Sequence, residues 1–132
     1  METFSRGTLA SDWVTGFCDA AASFTYSRSG KQLALYFAVK FPGADHPLLE
    51  DLQAFFGGIG RIYDLSGRSS YFRVSRRDDL MRIVDHFDSR PLRSSKRDVY
   101  DVWREMVVAK QDFRHPDRPR LDELADRLKS LR

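Results

Sequence analysis

The chain changes its hydrophobic period within one short stretch, Trp13–Phe24, which reads WVTGFCDAAASF. The first part of this stretch has apolar residues at helical spacing, and Ser11 or Asp12 is suited to cap the predicted helix. The helix is expected to end at about Ala21 or Ala22. The second part begins an alternation of apolar and polar residues, which is typical of a strand with one buried face. The stretch therefore predicts a helix that runs directly into a β-strand.

The predicted helix carries two small residues, Gly16 and Ala20, four positions apart on one side. A glycine inside a helix costs about 1 kcal/mol relative to alanine. Close approach of another backbone would compensate for that cost, and this neighbour lies either in the same domain or in a second one. Trp13, Val14 and Phe17 give the helix its apolar face.

Alternating apolar residues predict two hairpins. The first joins residues 23–27 to residues 32–41 through the turn Arg28-Ser29-Gly30-Lys31, and the second joins residues 61–63 to residues 70–74 at Ser66-Gly67. One face of the resulting sheet should pack on the core, and the other should face water. This second face, the polar face, is predicted to carry Thr25, Ser27, Gln32, Tyr36, Lys40, Arg61, Tyr63, Tyr71, Arg73 and Ser75.

Helical spacing predicts further helices around the hairpins. Their expected starts are Asp45 or His46, about Arg77, Ser94 or Ser95, and about Arg120. The order α-β-β-α-β-β-α-α-α favours an α+β fold, with an antiparallel sheet covered by helices on one side. A chain of 132 residues is expected to form a single domain over 1–132, with a core of about 11–110 and a last helix at about 120–131.

Composition excludes several classes of protein. A hydrophobic content of 42% with 13% aromatic residues is enough for a core, which excludes a disordered chain. No apolar run is long enough to cross a bilayer, and no signal peptide is expected. Because the single cysteine, Cys18, cannot form an internal disulfide, we expect an intracellular, cytoplasmic protein, whose bacterial, phage or organellar context stays open.

Basic residues are concentrated in the second half of the chain. Residues 1–60 carry 4 basic and 6 acidic side chains, whereas residues 61–132 carry 18 basic and 13 acidic ones. Arginine outnumbers lysine 17 to 5, and arginine is suited to bidentate contacts with phosphates and guanines. A GC-rich genome would give the same bias. Together with the basic and aromatic polar face, this charge distribution favours a nucleic-acid surface.

Four motifs in sequence order resemble the LAGLIDADG homing endonucleases. Trp13–Phe24 is similar to the family signature, and Phe37-Ala38-Val39-Lys40 resembles its second strand, which often ends in glutamine where Lys40 stands. Phe55–Tyr63 resembles the FFGG-x-G-x-IY stretch, and His86–Leu92 with Ser95-Lys96-Arg97 resembles HFDKYPL-x-T-x-K. The matches cover about residues 11–110. The resemblance implies an αββαββα fold with a saddle-shaped antiparallel sheet on DNA, followed here by extra C-terminal helices.

The resemblance also implies partners. In the family, signature helices pack against each other between two domains, so a chain with one signature is expected to form a homodimer on a pseudo-palindromic site in double-stranded DNA. The expected interface residues are Trp13, Gly16, Phe17 and Ala20. The expected DNA contacts are the polar face together with Arg28, Lys31 and Arg68.

The chain departs from the family at the catalytic position. The family places a metal-binding Asp or Glu two residues after the first acid of the signature, which is Asp19 here, so the position is Ala21. The implied activity is hydrolysis of both DNA strands with Mg²⁺ or another divalent cation. Alanine has no oxygen ligand, so metal binding at Ala21 and the Ala20 backbone carbonyl should be weakened or lost, and this copy should be inactive. Lys40 and Lys96 are the candidates for catalytic lysines near the scissile phosphates, with simple phosphate neutralisation as the alternative.

Two other functions stay open. One is a non-enzymatic DNA-binding or regulatory protein on the same fold, and the other is an RNA-binding maturase that assists intron splicing. Intron or intein mobility belongs to the homing-endonuclease hypothesis. Asp19 is expected to have a structural role at the helix end. The histidines, His46, His86 and His115, are dispersed and are assigned no role.

Overall fold

The computed structural model describes residues 9–42, 46–65, 68–111 and 117–131. Its elements are α1 (Ser11–Ala21), β1 (Ala22–Ser29), β2 (Gln32–Pro42), α2 (His46–Phe55), β3 (Arg61–Leu65), β4 (Ser69–Val74), α3 (Arg77–Ser89), α4 (Lys96–Lys110) and α5 (Arg118–Leu131). The predicted order is confirmed, and α1 passes directly into β1. The predicted helix start at Asp45 and the turn at Ser66-Gly67 lie outside the described residues.

The strands form one antiparallel sheet in the order β1-β2-β4-β3. The first hairpin turns at Gly30 and Lys31 alone, because Arg28 pairs with Leu33 and Ser29 with Gln32. The predicted turn was therefore two residues too long at its start. Gly30 has a φ of 61°, a conformation that glycine adopts without steric cost.

The core lies between one face of the sheet and the helices. Trp103 of α4 and Phe24 of β1 are fully buried, with ring centroids 5.2 Å apart. The Trp103 indole N–H donates to the carbonyl of Thr25 at 3.0 Å, so α4 is fixed on the edge strand β1 by a hydrogen bond as well as by packing. Cys18 is buried as predicted, and burial raises the pKa of its thiol to about 12.

The predicted cap of α1 was wrong, and α5 begins two residues before its expected start of about Arg120. The cap of α1 is Ala10, which makes no side-chain cap hydrogen bond, and Asp12 instead pairs with Arg90, the residue after α3, at 3.2 Å. Helix α5 begins at Arg118, with Pro119 in its first turn, where a missing N–H is tolerated. The Asp117 carboxylate accepts from the Arg120 N–H at 3.0 Å. Among the described residues, no helix is long and apolar enough to cross a membrane.

Candidate nucleic-acid interface

The polar face presents two rows of side chains across the sheet. In one row Lys40 stands opposite Tyr71, and Tyr71 stands opposite Tyr63. In the next row Ala38 stands opposite Arg73, and Arg73 stands opposite Arg61. Strand pairing therefore brings together residues that are far apart in the sequence, such as Ala38 and Arg73, which are 35 positions apart.

Arg73 joins basic and aromatic groups at the centre of the polar face. Its guanidinium carbon lies 3.8 Å from the centroid of the Tyr36 ring, which is a cation–π contact. The rings of Tyr63 and Tyr71 lie 6.0 Å apart. Arg61 and Arg73 carry like charges on directly opposite residues, an arrangement that destabilises a sheet unless an anion offsets it.

Three residues predicted for the polar face or for DNA contact differ from the prediction in burial or position. Thr25 has the predicted orientation but is only 6% exposed, because alternation sets the side of a strand and not what covers it. Arg28 shares its side with Phe24 and Tyr26, and its guanidinium pairs with Asp122 of α5 at 3.3 Å. Ser75 lies beyond the end of β4.

The remaining predicted contacts lie near the ends of the hairpins. Ser27 and Gln32 are exposed near the tip of the β1–β2 hairpin, and Lys31 is exposed in its turn. Arg68 is exposed just before β4. These residues are separate from the central cluster of Tyr36, Lys40, Arg61, Tyr63, Tyr71 and Arg73.

The C-terminal end of α1 is held by a lysine. The Lys96 ammonium, at the start of α4, donates to the Ala22 carbonyl at 2.5 Å and contacts the Cys18 carbonyl at 3.4 Å. A cation at this end of a helix is favoured by the helix dipole. Burial lowers the pKa of Lys96, although the neighbouring Asp19 charge acts in the opposite direction.

Asp19 fastens the same end of α1 to the segment before α4. Its carboxylate accepts from the Arg93 N–H at 2.9 Å, from the Ser94 N–H at 3.1 Å and from the Ser94 hydroxyl at 2.5 Å. Burial would raise the pKa of Asp19, but these hydrogen bonds and the Lys96 charge outweigh it, so that the pKa lies below its usual value. These contacts are those of a structural residue.

Lys40 and Lys96 line one concavity of about 640 Å³ beside the end of α1. Its other lining residues include Tyr36, Tyr71 and Ser94, so it extends from the polar face to the start of α4. The two candidate lysines are thus brought to one site by the fold, although 56 positions separate them in the sequence.

The residues at this site do not fit a divalent cation. Ala21 supplies no oxygen from its side chain, and the carbonyls of Cys18 and Ala22 face the Lys96 ammonium. The Asp19 carboxylate is engaged with Arg93 and Ser94. Within the described ranges, no group of three or more His, Cys, Asp or Glu residues could hold a metal ion.

One side of α1 is largely uncovered by the described residues, although Phe17 on this side is half-buried and contacts Phe41 of β2. This open side consists of Trp13, Gly16, Phe17 and Ala20. The rings of Trp13 and Phe17 stack with centroids 5.2 Å apart, and Trp13 is 45% exposed. No described atom lies within 4 Å of a Cβ built on Gly16, so close packing inside the domain does not account for this glycine.

His86, which was assigned no role from the sequence, links α3 to the side of α1 that faces the core. The Thr15 hydroxyl donates to the Arg90 carbonyl at 2.9 Å and lies 3.0 Å from Nε2 of His86. Because the Thr15 hydroxyl proton points to the Arg90 carbonyl, the hydroxyl oxygen must accept a hydrogen bond from His86. A neutral His86 with its proton on Nε2 makes this hydrogen bond. Burial, and then the Arg90 charge, lower the pKa of His86 to about 4. Its ring also packs between Phe55 and Phe87.

Residues 14–107 match the family model described as LAGLIDADG endonuclease. The chain belongs to this family. The matched region runs from α1 to α4, and so contains the sheet, the polar face and the α1 end with Asp19, Ala21 and Lys96.

Two curated relatives come from fungi. An uncharacterized 50.9 kDa protein in ND4 intron 1 of Podospora anserina is 30% identical over 122 residues, which cover 86% of this chain and 27% of that protein. A probable intron-encoded endonuclease 2 of Neurospora crassa is 28% identical over 132 residues, which cover 93% of this chain and 29% of that protein. The chain thus spans less than a third of the length of each.

Solved LAGLIDADG structures share the fold. The I-SmaMI LAGLIDADG homing endonuclease bound to cleaved DNA superposes with a TM-score of 0.81 and 27% identity, covering 93% of this chain and 43% of that one. The homing endonuclease I-TnaI gives a TM-score of 0.79 at 24% identity, covering 93% of this chain and 95% of that one. The predicted α+β LAGLIDADG fold is therefore confirmed.

Proposed function

We propose that the protein binds double-stranded DNA through the polar face. The observation that carries this proposal is the pair of like charges at Arg61 and Arg73, with Arg73 stacked on Tyr36 and no acidic residue in the polar face. A polyanion relieves this repulsion, and arginine can contact both phosphates and base edges. The structural similarity to I-SmaMI, which was solved on cleaved DNA, supports the same ligand. A DNA target implies an intracellular protein.

This copy binds DNA without cutting it. Hydrolysis in the family depends on a divalent cation, and Ala21 removes the carboxylate that would hold it. Lys96 supplies a fixed positive charge at the same end of α1. Lys40 and Lys96 then act on phosphates as cations and not as parts of a metal site. The intron context in the names of the two fungal relatives supports an origin in a mobile intron.

The functional assembly is a homodimer on a pseudo-palindromic site, with 1–132 as one domain of each half. The open side of α1 supports it, because Gly16 and Ala20 allow a second helix to approach closely while Trp13 and Phe17 add apolar area. The same fold occurs in I-TnaI, where the match covers 95% of that chain.

The test restores the carboxylate. Duplexes are first selected for binding from a randomised library, and the variants Ala21→Glu and Ala21→Asp are then incubated with them and Mg²⁺. We expect specific double-strand cleavage by at least one variant, and none by the original chain or by the control Ala21→Gln, which has the size of glutamate without its charge. Cleavage by Ala21→Gln would contradict the metal-ligand role of this position.

The same experiment addresses the two alternatives. Specific binding without cleavage in both acidic variants would favour a non-enzymatic DNA-binding or regulatory protein. Tighter binding to structured RNA than to any selected duplex would favour a maturase. It would overturn the proposal that double-stranded DNA is the ligand of the polar face.

A further inference from the structure

A second basic surface lies on the helix side of the sheet, around a cleft of about 560 Å³ at the tip of the β1–β2 hairpin. Among the described residues that line it, Asp122 is the one acid, and it is paired with Arg28. We call this site the basic cleft; its cationic lining residues are Arg28, Lys31, Arg77, Lys110 and Arg118. They come from β1, the hairpin turn and three helices, so the cleft is formed by tertiary packing and not by one basic segment.

Positive charges are held close together in the basic cleft. The Lys110 ammonium at the end of α4 donates to the Leu33 carbonyl of β2, which fixes its position. Burial and the charge of Arg77 lower the pKa of Lys110. The Gln111 side chain donates to the Arg77 carbonyl at 3.2 Å and so holds the start of α3 beside the end of α4. Cations that the fold holds together in this way are stabilised by an anion between them.

The chemistry of the lining points to phosphate groups. Pockets for small organic ligands are lined mainly by apolar and aromatic groups. Here Leu33 and Leu121 are the bulky apolar contributors among the described lining residues, and the charged side chains outnumber them. Guanidinium groups form paired hydrogen bonds to phosphate oxygens, which suits the exposed Arg118 to a phosphodiester.

The basic cleft is continuous with the polar face at the hairpin tip. Lys31 and Gln32 line the cleft, and Gln32 was also assigned to the polar face, from which its neighbour Leu33 points away into the core. A polyanion longer than the polar face can therefore pass round the tip. A nucleic-acid backbone is such a ligand, whereas a single phosphate compound would not use this continuity.

We propose that the basic cleft binds the phosphodiester backbone of a nucleic acid at a site separate from the polar face. The choice of nucleic acid rests on the proposed function, whereas the existence of an anion site does not. The bound segment is the flank of the duplex that lies on the polar face, because the two surfaces meet at the hairpin tip.

The experiment removes two exposed cations from the cleft in the variant Lys31→Gln/Arg118→Gln. The matched control Arg127→Gln/Lys129→Gln removes the same charge from exposed positions further along α5. Binding to a long duplex, a short duplex and a structured RNA is measured by fluorescence anisotropy at several salt concentrations. We expect about a tenfold or greater loss of affinity in the cleft variant for the long duplex, with a salt slope lower by nearly 2. A loss confined to the structured RNA would overturn the assignment of the cleft to the duplex flank. The control should change affinity less than about twofold.

A third variant separates this proposal from the proposed function. Arg73→Gln on the polar face should weaken binding to both duplexes, short and long. If Arg73→Gln weakens binding and the cleft variant behaves like its control on every probe, the basic cleft is not a nucleic-acid site and the proposed function stands. The charge-conserving variant Lys31→Arg/Arg118→Lys should restore the salt slope, and failure to do so would overturn the electrostatic basis of the cleft.

Discussion

The two sides of α1 are made from the same short stretch of sequence, but they have different surroundings. Val14, Thr15 and Cys18 on the covered side are buried against the sheet and α3. On the open side, Gly16 and Ala20 are exposed, and Trp13 stacks on Phe17 with almost half of its surface accessible. Apolar character alone does not distinguish the sides, since both carry large hydrophobic residues.

The two sides should therefore serve different processes: the covered side stabilises the folded domain, and the open side is the proposed surface for assembly. The covered side contributes to the free energy of unfolding of the single domain, because its side chains leave water when the chain folds. The open side gains little from folding, and its exposed apolar area is the surface proposed to contact a second molecule. Changes on the two sides should therefore have distinct consequences.

The largest effect is expected for Gly16→Leu on the open side. A leucine there occupies the space in which the partner helix backbone is proposed to lie, so the dimer on selected duplex DNA should be lost, as measured by light scattering. The isolated domain should keep its circular dichroism and melting temperature, because the added side chain meets no described atom near its Cβ. Asp126→Leu, at an exposed position of α5, is the control, and a dimer unaffected by Gly16→Leu would mean that the open side is not the interface.

A smaller effect, on the stability of the domain and not on dimer formation, is expected for Val14→Ala on the covered side. Val14 is 0% exposed, and loss of its methyl groups should lower the free energy of unfolding by about 2 kcal/mol in urea denaturation. At protein concentrations where the chain is monomeric, Gly16→Ala should instead raise it by up to about 1 kcal/mol, through helix propensity. Changes of opposite sign in the free energy of unfolding would support the distinction between the two sides, and a destabilising Gly16→Ala would contradict it.

The smallest effect concerns the hydrogen bond of His86 to the covered side. Its folded pKa of about 4 lies below the ordinary 6.5, so the unfolded chain takes up the proton first as pH falls. Stability should be constant above pH 6.5, decline between pH 6.5 and 4, and level off for this group below pH 4. The imidazole is partly exposed, so solvent screening reduces the loss to about 1 kcal/mol.

His86→Gln is the control for this pH dependence, because glutamine can donate to Thr15 but does not titrate. Its stability should change less than that of the original chain between pH 6.5 and 4, in thermal melts at fixed ionic strength. The same decline in both proteins would assign the pH dependence to another group. Asp19 and Asp88 titrate lower, because their pKa values are held below the usual range.

Much of the site could be predicted from alternation, but not all of it. The pattern in β2 and β4 correctly placed Tyr36, Lys40, Tyr71 and Arg73 on one face. Extending the same alternation through β1 would have placed Arg28 on the helix side; assigning it to the turn hid that signal. The partner Asp122 and the cover over Thr25 had no such signal, because both depend on packing between segments distant in sequence.

The sequence by itself determined the order of the elements and the sheet side of most strand residues. These properties follow from local periodicity and residue chemistry. Only the tertiary structure decided that Lys96 reaches the carbonyls at the end of α1, that Asp19 is engaged by the segment before α4, and that five cations from separate elements surround one cleft. The physical reason is that hydrogen bonds and charge clusters depend on distances in space, which are set by how the helices pack on the sheet.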